Sequence, residues 1–188
     1  KAVRDQEHIF GQFLWTGIDY LGESGRWPSR GFYSGLLDFA GSMKPRGYFR
    51  ASLWSDKPMA YLGTYPVQGG GAATDTWSQL EAEQGQRQDQ APSMDAWPVW
   101  KYNEGQQIRV VSYSNAPKVY LTLNGRKVGE EKAADDRHGI VYWDIPYTAG
   151  TLTVVGLDES GREIVKHNLK TSKRSYALKV VEGANQAV

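Results

Sequence analysis

The hydrophobic rhythm of this chain changes once. Up to about residue 58 apolar positions come in blocks; from about residue 97 they alternate with polar ones. The first block, residues 9–18, carries Ile9, Phe10, Phe13, Leu14, Trp15 and Ile18 with little alternation. A continuous apolar run bounded by glycines predicts a strand buried on both faces, as in a parallel sheet. Gly11 and Gly17 inside it mark tight backbone packing or a bulge. Ala2, Val3, Glu7, Ile9 and Phe10 read as the last turns of a helix entering that strand, so the chain begins in mid-fold on this reading. A turn-rich loop, "GESGRWPSRG", and a short apolar piece, "GLLDFAG", follow. "SMKPRGYFRASLWSD" then predicts a helix. Ser42 is its N-cap, Pro45 sits in the first turn where its missing N–H is harmless, and Tyr48, Phe49, Leu53 and Trp54 fall at helical spacing. Asp56, Lys57 and Pro58 close it. Strand, long loop and helix make one βα unit of an α/β barrel or doubly wound sheet.

Between the two rhythms lies a connection. "MAYLGTY" predicts a short strand. Residues 66–96 are then poor in apolar groups and rich in Gly, Gln, Ala and Asp, the pattern of an inserted loop anchored by Trp77 and Leu80. "TWSQLEAEQ" within it has the length of one or two helical turns. From Trp97 the chain is a series of short strands: "QIRVVSYSN", "KVYLTLNG", "KVGEEK", "GIVYWDIPY", "TLTVVGLD" and "EIVKHNLKT". The sharpest turn between them is Asn124-Gly125, since a type I′ turn needs φ > 0 at both central residues. Val119, Leu121 and Leu123 alternate with Tyr120 and Thr122; Val141, Trp143 and Ile145 alternate with Tyr142 and Asp144. One buried face per strand at this spacing predicts an all-β sandwich of the immunoglobulin type, with Trp143 filling its core. Tyr176–Val181 is one more strand-like run, in a tail that reads as a linker or the start of something further.

Charge and composition narrow the chemistry. The balance of 22 Lys and Arg against 21 Asp and Glu argues against a nucleic-acid footprint. There is no apolar run long enough for a membrane helix. Cys is absent, so there is no disulfide framework and no thiolate metal site. His8, His138 and His167 are far apart and lack metal-ligand spacing, so ordinary satisfied histidines are the expectation. Seven Trp and eleven Tyr are many for this length. Aromatic faces stack on sugar rings, but the same residues dominate cores and interfaces.

With these residues in view, the chain resembles a known family. "GQFLWTGIDYLGE" followed by "WPSRGFYSGLLDFAGSMKPRGYFRASLWSDKPM" is similar to the eighth strand, loop and helix of the catalytic barrel of glycoside hydrolase family 2, the β-galactosidase family. The block "VWKYNEGQQIRVVSYSNAPKVYLTLNGRKVGEEK", with "GIVYWDIPYTAGTLTVVGLDESG", resembles the immunoglobulin-like domain that follows that barrel. The resemblance implies a mixed fold: the last βα unit of a (β/α)8 barrel at 1–58, a connection with a polar insertion at 59–96, a β-sandwich at 97–173, and a linker or further domain at 174–188. It implies a retaining β-glycosidase acting on terminal β-linked sugars, without cofactor or metal. Its partners would be a carbohydrate substrate and the rest of the barrel, with a homo-oligomer allowed and a periplasmic or secreted bacterial location. The two catalytic glutamates of the family come from strands four and seven, which places them before Lys1, so this piece alone is expected to be inactive.

By family position Trp15, Asp19 and Glu23 are the substrate-binding candidates. Trp15 would form a wall for the terminal sugar, Asp19 would accept hydrogen bonds from hydroxyls or neighbouring loops, and Glu23 would accept a hydroxyl at the pocket edge. Structural alternatives stand beside each. Trp15 is then core between strand and helix, Asp19 caps a loop or pairs with Arg26 or Arg30, and Glu23 is solvated surface. Asp19 and Glu23 in an extended segment would lie ~13 Å apart at Cα, too far for a catalytic carboxylate pair without a sharp turn. Trp27, Trp97 and Trp100 read as interface packing. The sandwich itself allows two roles: a sugar-binding module with Tyr113, Tyr120 and Tyr142 as a stacking platform, or a structural buttress.

Overall fold

Two antiparallel sheets packed face to face hold most of the ordered chain. The computed structural model describes residues 6–24, 26–67, 92–134 and 139–172. Early in the chain come β1 (Tyr20–Leu21), β2 (Gly31–Phe32) and the helix α1 (Pro45–Trp54); β3 (Ala60–Pro66) follows. Then come β4 (Gln107–Ser114), β5 (Lys118–Leu123), β6 (Arg126–Lys132), β7 (Val141–Pro146), β8 (Thr151–Leu157) and β9 (Glu163–Lys170). The three-stranded sheet has the order β3-β4-β7 and the four-stranded sheet β6-β5-β8-β9. The fold is therefore mostly β, with one helix among the described residues.

The alternation read from the sequence sets which face is buried. Leu62 of β3, Ile108 and Val110 of β4, and Val141, Trp143 and Ile145 of β7 meet Val119, Leu121, Leu152, Val154 and Leu169 of the other sheet. Trp143 fills this core as expected, and Trp100 joins it. A fully buried side chain of this size stabilises by roughly 1.5–3 kcal/mol, so this face dominates the energetics. The hairpin between β5 and β6 turns at Asn124 (φ 51°) and Gly125 (φ 78°), both left-handed as the Asn-Gly pair predicts. Side chains close both seams between the sheets: on one side the Leu62 N–H donates to His167 Nδ1, and on the other the Trp143 indole donates to the Glu130 carbonyl and Lys132 to that of Tyr142.

The outer face of the three-stranded sheet is covered as well. Tyr61, Val111 and Tyr113 pack against Phe49 of α1, Ala96 and Ile140. Tyr48 of α1 stacks on Tyr61 at 4.6 Å, and Tyr61 lies parallel to Tyr113 at 5.2 Å. Burial pushes both Tyr61 and Tyr113 well above the ordinary phenol value. Their hydroxyls donate to the Ala96 and Ser93 carbonyls, which straps residues 93–97 along β3. Gly63 is required there, because a Cβ would lie 2.1 Å from the Ala96 carbonyl oxygen. Arg46 of α1 makes a two-pronged ion pair with Asp95, at 2.6 and 2.7 Å, tying helix to strap.

Several expectations change. Residues 9–18 form no strand; only an isolated parallel bridge, Ile18 to Leu37, marks where the pattern placed one. Phe13 is 100% exposed and Phe10, Trp15 and Ile18 are also open. A strand exists through its neighbours' hydrogen bonds, and no described strand lies beside 9–17. The N-cap is Lys44 rather than Ser42, and no side chain caps the helix. Lys44 directs its ammonium to Asp19 instead. The strand at 60–66, read as part of the connection, pairs along its whole length with β4, from Ala60–Ser114 to Pro66–Ile108. Gln6 to Phe10 contain a turn, with the Ile9 N–H on the Gln6 carbonyl, in place of a helical end. The calls on Ala2, Val3, Trp77, Leu80, His138 and Tyr176–Val181 lie outside the described residues.

Candidate functional site

The loop that carries the candidates is built on a buried ion pair. Asp19 is 6% exposed. Its Oδ1 accepts the Gly35 N–H at 2.8 Å and the Lys44 ammonium at 3.0 Å, and its Oδ2 accepts the same ammonium at 3.0 Å. Lys44 also donates to the Tyr33 carbonyl at 2.6 Å. The main chain joins the same two stretches, since the Asp19 N–H donates to the Leu37 carbonyl at 2.9 Å. Two buried charges are tolerated because each meets its opposite and their remaining hydrogen-bonding capacity is used. Asp19 therefore pairs with Lys44, not with Arg26 or Arg30. Gly35 must be glycine here, since a Cβ would lie 2.4 Å from the Asp19 nitrogen.

Beyond this anchor the side chains turn outward. The short β1–β2 ribbon pairs Tyr20 with Phe32 and Leu21 with Gly31. Tyr20 packs on Phe32 at 5.6 Å between ring centres and meets the Trp15 ring edge to face at 6.3 Å. The Trp15 indole N–H donates to the Tyr20 hydroxyl at 3.3 Å, and that hydroxyl donates to Glu23 Oε2. The hydrogen bond to the Glu23 carboxylate holds the Tyr20 phenol above its ordinary value, because ionising the phenol would lose that bond and place two anions together. Glu23 itself has φ 44°, the sharp turn that an extended segment lacks. Trp15 is 71% exposed, so its core alternative is not what the structure shows. The Trp15–Thr16 and Trp27–Pro28 peptide bonds are cis.

The three candidates thus lie on one loop with different commitments: Asp19 inward, Trp15 and Glu23 outward. Two partners escaped the sequence reading. Lys44 is 25 residues from Asp19, and no local pattern links them. Tyr20 was absorbed into the apolar run, although an aromatic hydroxyl three residues before a glutamate was the available signal. Among the other aromatics, Trp27 is exposed, Trp97 is half-exposed and bridges to Thr64, and Trp100 lies in the sandwich core.

The tyrosine platform is not formed. Tyr113 is buried under α1 and the strap. Tyr142 lies on the three-stranded sheet with the Arg109 guanidinium 4.6 Å over its ring, while Tyr120 lies on the four-stranded sheet under Lys127 and bonds Glu163. Alternation placed Tyr120 and Tyr142 outward but could not place them on one surface. Of the histidines, His8 is exposed and His167 is a satisfied seam residue. Among the described residues no group of three or more His, Cys, Asp or Glu gathers as metal ligands do.

An aromatic–carboxylate loop and helix leading into a seven-stranded sandwich define the class: a mostly β chain in which an open polar loop stands on a sandwich support. A domain of unknown function, DUF4982, matches residues 105–165, from the turn before β4 into β9. The chain is 29% identical over 184 residues to the beta-galactosidase BoGH2A of Bacteroides ovatus, covering 96% of this chain and 17% of that protein. It is also 29% identical over 189 residues to a putative beta-glucuronidase of Formosa agariphila, covering 95% of this chain and 15% of that one. Among solved structures it is similar to a glycosyl hydrolase family 2 member from Bacteroides cellulosilyticus, with TM-score 0.66 and 26% identity over 92% of this chain and 20% of the other. A beta-glycosidase from Bacteroides vulgatus matches with TM-score 0.61 and 26% identity over 87% of this chain and 16% of the other. The chain matches the carboxy-terminal part of glycoside hydrolase family 2 proteins, and spans about a sixth of the length of the curated relatives.

Proposed function

We propose that this chain is the carboxy-terminal portion of a retaining β-glycosidase that hydrolyses terminal β-linked sugars. On this reading residues up to 58 supply the last βα unit of a (β/α)8 barrel, and the sandwich buttresses it. The open apolar side of Phe10, Phe13, Leu14 and Ile18 supports this, since such a surface calls for a covering partner and the remaining barrel strands are of the right kind. Barrel enzymes bind substrate on the loops after their strands, and this reading assigns Trp15 and Glu23 to that end of the barrel. The observation that carries the reading is the outward Trp15–Tyr20–Glu23 set mounted on the buried Asp19–Lys44 pair.

Roles divide accordingly. Trp15 offers an apolar face to the sugar, and Glu23 accepts a hydroxyl. Asp19 positions the loop and does not touch substrate, because its oxygens already serve Lys44 and Gly35. Retention needs two carboxyl groups about 5–5.5 Å apart, as nucleophile and acid/base. Asp19 is taken by its ion pair and Glu23 is assigned to a substrate hydroxyl, so on this reading both carboxyls come from the rest of the barrel.

The test compares the 188-residue chain with the intact enzyme that carries it, on nitrophenyl β-galactoside and β-glucuronide. The chain alone is expected to give background rates, and the intact enzyme to release a product of retained anomeric configuration by NMR. Turnover by the isolated chain that falls on Glu23→Gln refutes the proposal.

A further inference from the structure

We infer that Tyr20 is the positioning residue of the sugar-binding loop: its hydroxyl orients Glu23 and Trp15 together and leaves one carboxylate oxygen of Glu23 to receive a hydroxyl of a neutral sugar. The inference rests on the glycosidase reading above and adds a residue and a substrate preference to it. A phenol hydroxyl has one proton and can accept besides. Tyr20 gives its proton to Glu23 Oε2 and accepts the Trp15 indole N–H at 3.3 Å, so one oxygen fixes two neighbours. The phenol is itself located by β1–β2 pairing with Phe32 and by ring contact with it. Both partners are otherwise open to solvent: no other hydrogen bond of the Glu23 carboxylate exists among the described residues, and Trp15 is largely exposed. Without Tyr20, an exposed glutamate on a left-handed turn samples many rotamers and loses entropy on binding.

The charge of the pair sets the preference. Asp19 is neutralised by Lys44, whereas Glu23 bonds only a neutral phenol, so the free oxygen keeps its negative charge. It accepts from a hydroxyl and repels a carboxylate, because like-charge juxtaposition is disfavoured. A neutral pyranoside is preferred over a uronide at this position.

The experiment is a double-mutant cycle in the intact enzyme. Tyr20→Phe keeps the ring contact with Phe32 and removes the hydroxyl. We expect it to raise KM for a neutral β-galactoside about fivefold to tenfold, the scale of one ordinary hydrogen bond, with kcat within about twofold. Because Tyr20 acts through Glu23, Tyr20→Phe added to Glu23→Ala, which has no acceptor for the hydroxyl, should cost little more, a non-additivity that a merely structural role would not produce. Glu23→Gln should also narrow the preference for galactoside over glucuronide. Additive effects, or an unchanged KM in Tyr20→Phe, overturn the inference. A second readout needs no turnover: in the 188-residue chain the Trp15 indole N–H resonance should shift on Tyr20→Phe, and an unmoved resonance overturns the inference on its own. An inactive wild-type enzyme with a shifting indole resonance refutes the glycosidase reading, and with it the substrate preference, while leaving the Tyr20 bridge standing.

Discussion

The backbone N–H of Leu62 donates to Nδ1 of His167 at 3.0 Å, which joins β3 of one sheet to β9 of the other. The imidazole also lies on Tyr61, 5.6 Å between ring centres and 18° from parallel. Burial pushes the His167 pKa below its ordinary 6.5. A protonated Nδ1 would face the Leu62 N–H with a second hydrogen, so the bond exists only in the neutral form. A histidine with a depressed folded value contributes stability that is complete above the unfolded value, near pH 6.5, and is lost as pH falls through the folded value. Tyr61, raised by burial, stays neutral throughout this window.

The consequence is a pH-dependent melting temperature. His167→Gln keeps a carbonyl that can accept from Leu62 but does not titrate. Between pH 7 and pH 5 the wild-type chain should lose a few degrees more in Tm than the variant, as measured by circular dichroism. Superimposable pH profiles would show that the seam does not depend on this protonation.

The Asp19–Lys44 pair should behave as a buried ion pair, with side chains 4% and 12% exposed. Removing one partner of such a pair leaves the other charge uncompensated and costs roughly 3–5 kcal/mol, unlike a surface pair worth under about 1 kcal/mol. Asp19→Asn retains an acceptor for Gly35 but strands the ammonium. Amide exchange at Gly35 and Leu37 should accelerate at least tenfold in Asp19→Asn, while the sandwich amides of Val110 and Val154 are unchanged. Equal protection in both forms would reduce Asp19 to a surface contact.

Asn115 is the clamp between helix and sandwich. Its Oδ1 accepts the Met59 N–H, and its Nδ2 donates to the Ser55 and Lys57 carbonyls, all at 2.8 Å. Ser114 adds a bond to the Met59 carbonyl. The chain leaving α1 is thus held by the β4–β5 turn, 56 to 60 residues later in sequence. Asn115→Ala unpairs three backbone groups at once, those of Met59 and Ser55 in partly buried bonds, and should destabilise by about 2–3 kcal/mol in urea unfolding. Asn115→Asp keeps the acceptor and loses both donors, so it should fall between. A loss under about 0.5 kcal/mol for Asn115→Ala would mean that water replaces the clamp.

The clamp shows why part of this fold was legible and part was not. Alternation in Val119–Leu123 and Val141–Ile145 reports the burial of each strand's own side chains, and the Asn124-Gly125 turn states its own dihedrals; both were correct. The run at 11–18 is as apolar as a buried strand, but apolarity does not supply the neighbour a strand needs, and in this chain those side chains stand open. The strand at 60–66 was visible, yet its pairing with β4 spans 40 or more residues and leaves no local trace. The site divided in the same way. Trp15, Asp19 and Glu23 are candidates by resemblance to a family, which carries positions but not partners. Lys44 and Tyr20 emerge only when the loop is closed in space.

Among the described residues, two polar atoms inside the sandwich lack hydrogen-bond partners, and they should respond to mutation in opposite directions. Ser112 is fully buried on β4, opposite Leu62 and Val141, and its hydroxyl is unpaired. An unsatisfied buried hydroxyl costs about 1–3 kcal/mol, while Ser and Ala differ little in volume. Ser112→Ala should therefore raise stability by about 1 kcal/mol and Tm by about 2–4 °C. The indole N–H of Trp100 is equally unpaired, but its ring fills the space between Tyr102 and Tyr147, at 6.2 and 4.9 Å. Trp100→Ala removes the same unsatisfied donor and opens a cavity, which costs about 3–5 kcal/mol and outweighs the gain. Calorimetry on the two variants separates the effects: if Ser112→Ala also destabilises, the hydroxyl has a partner, such as a buried water, that offsets its desolvation.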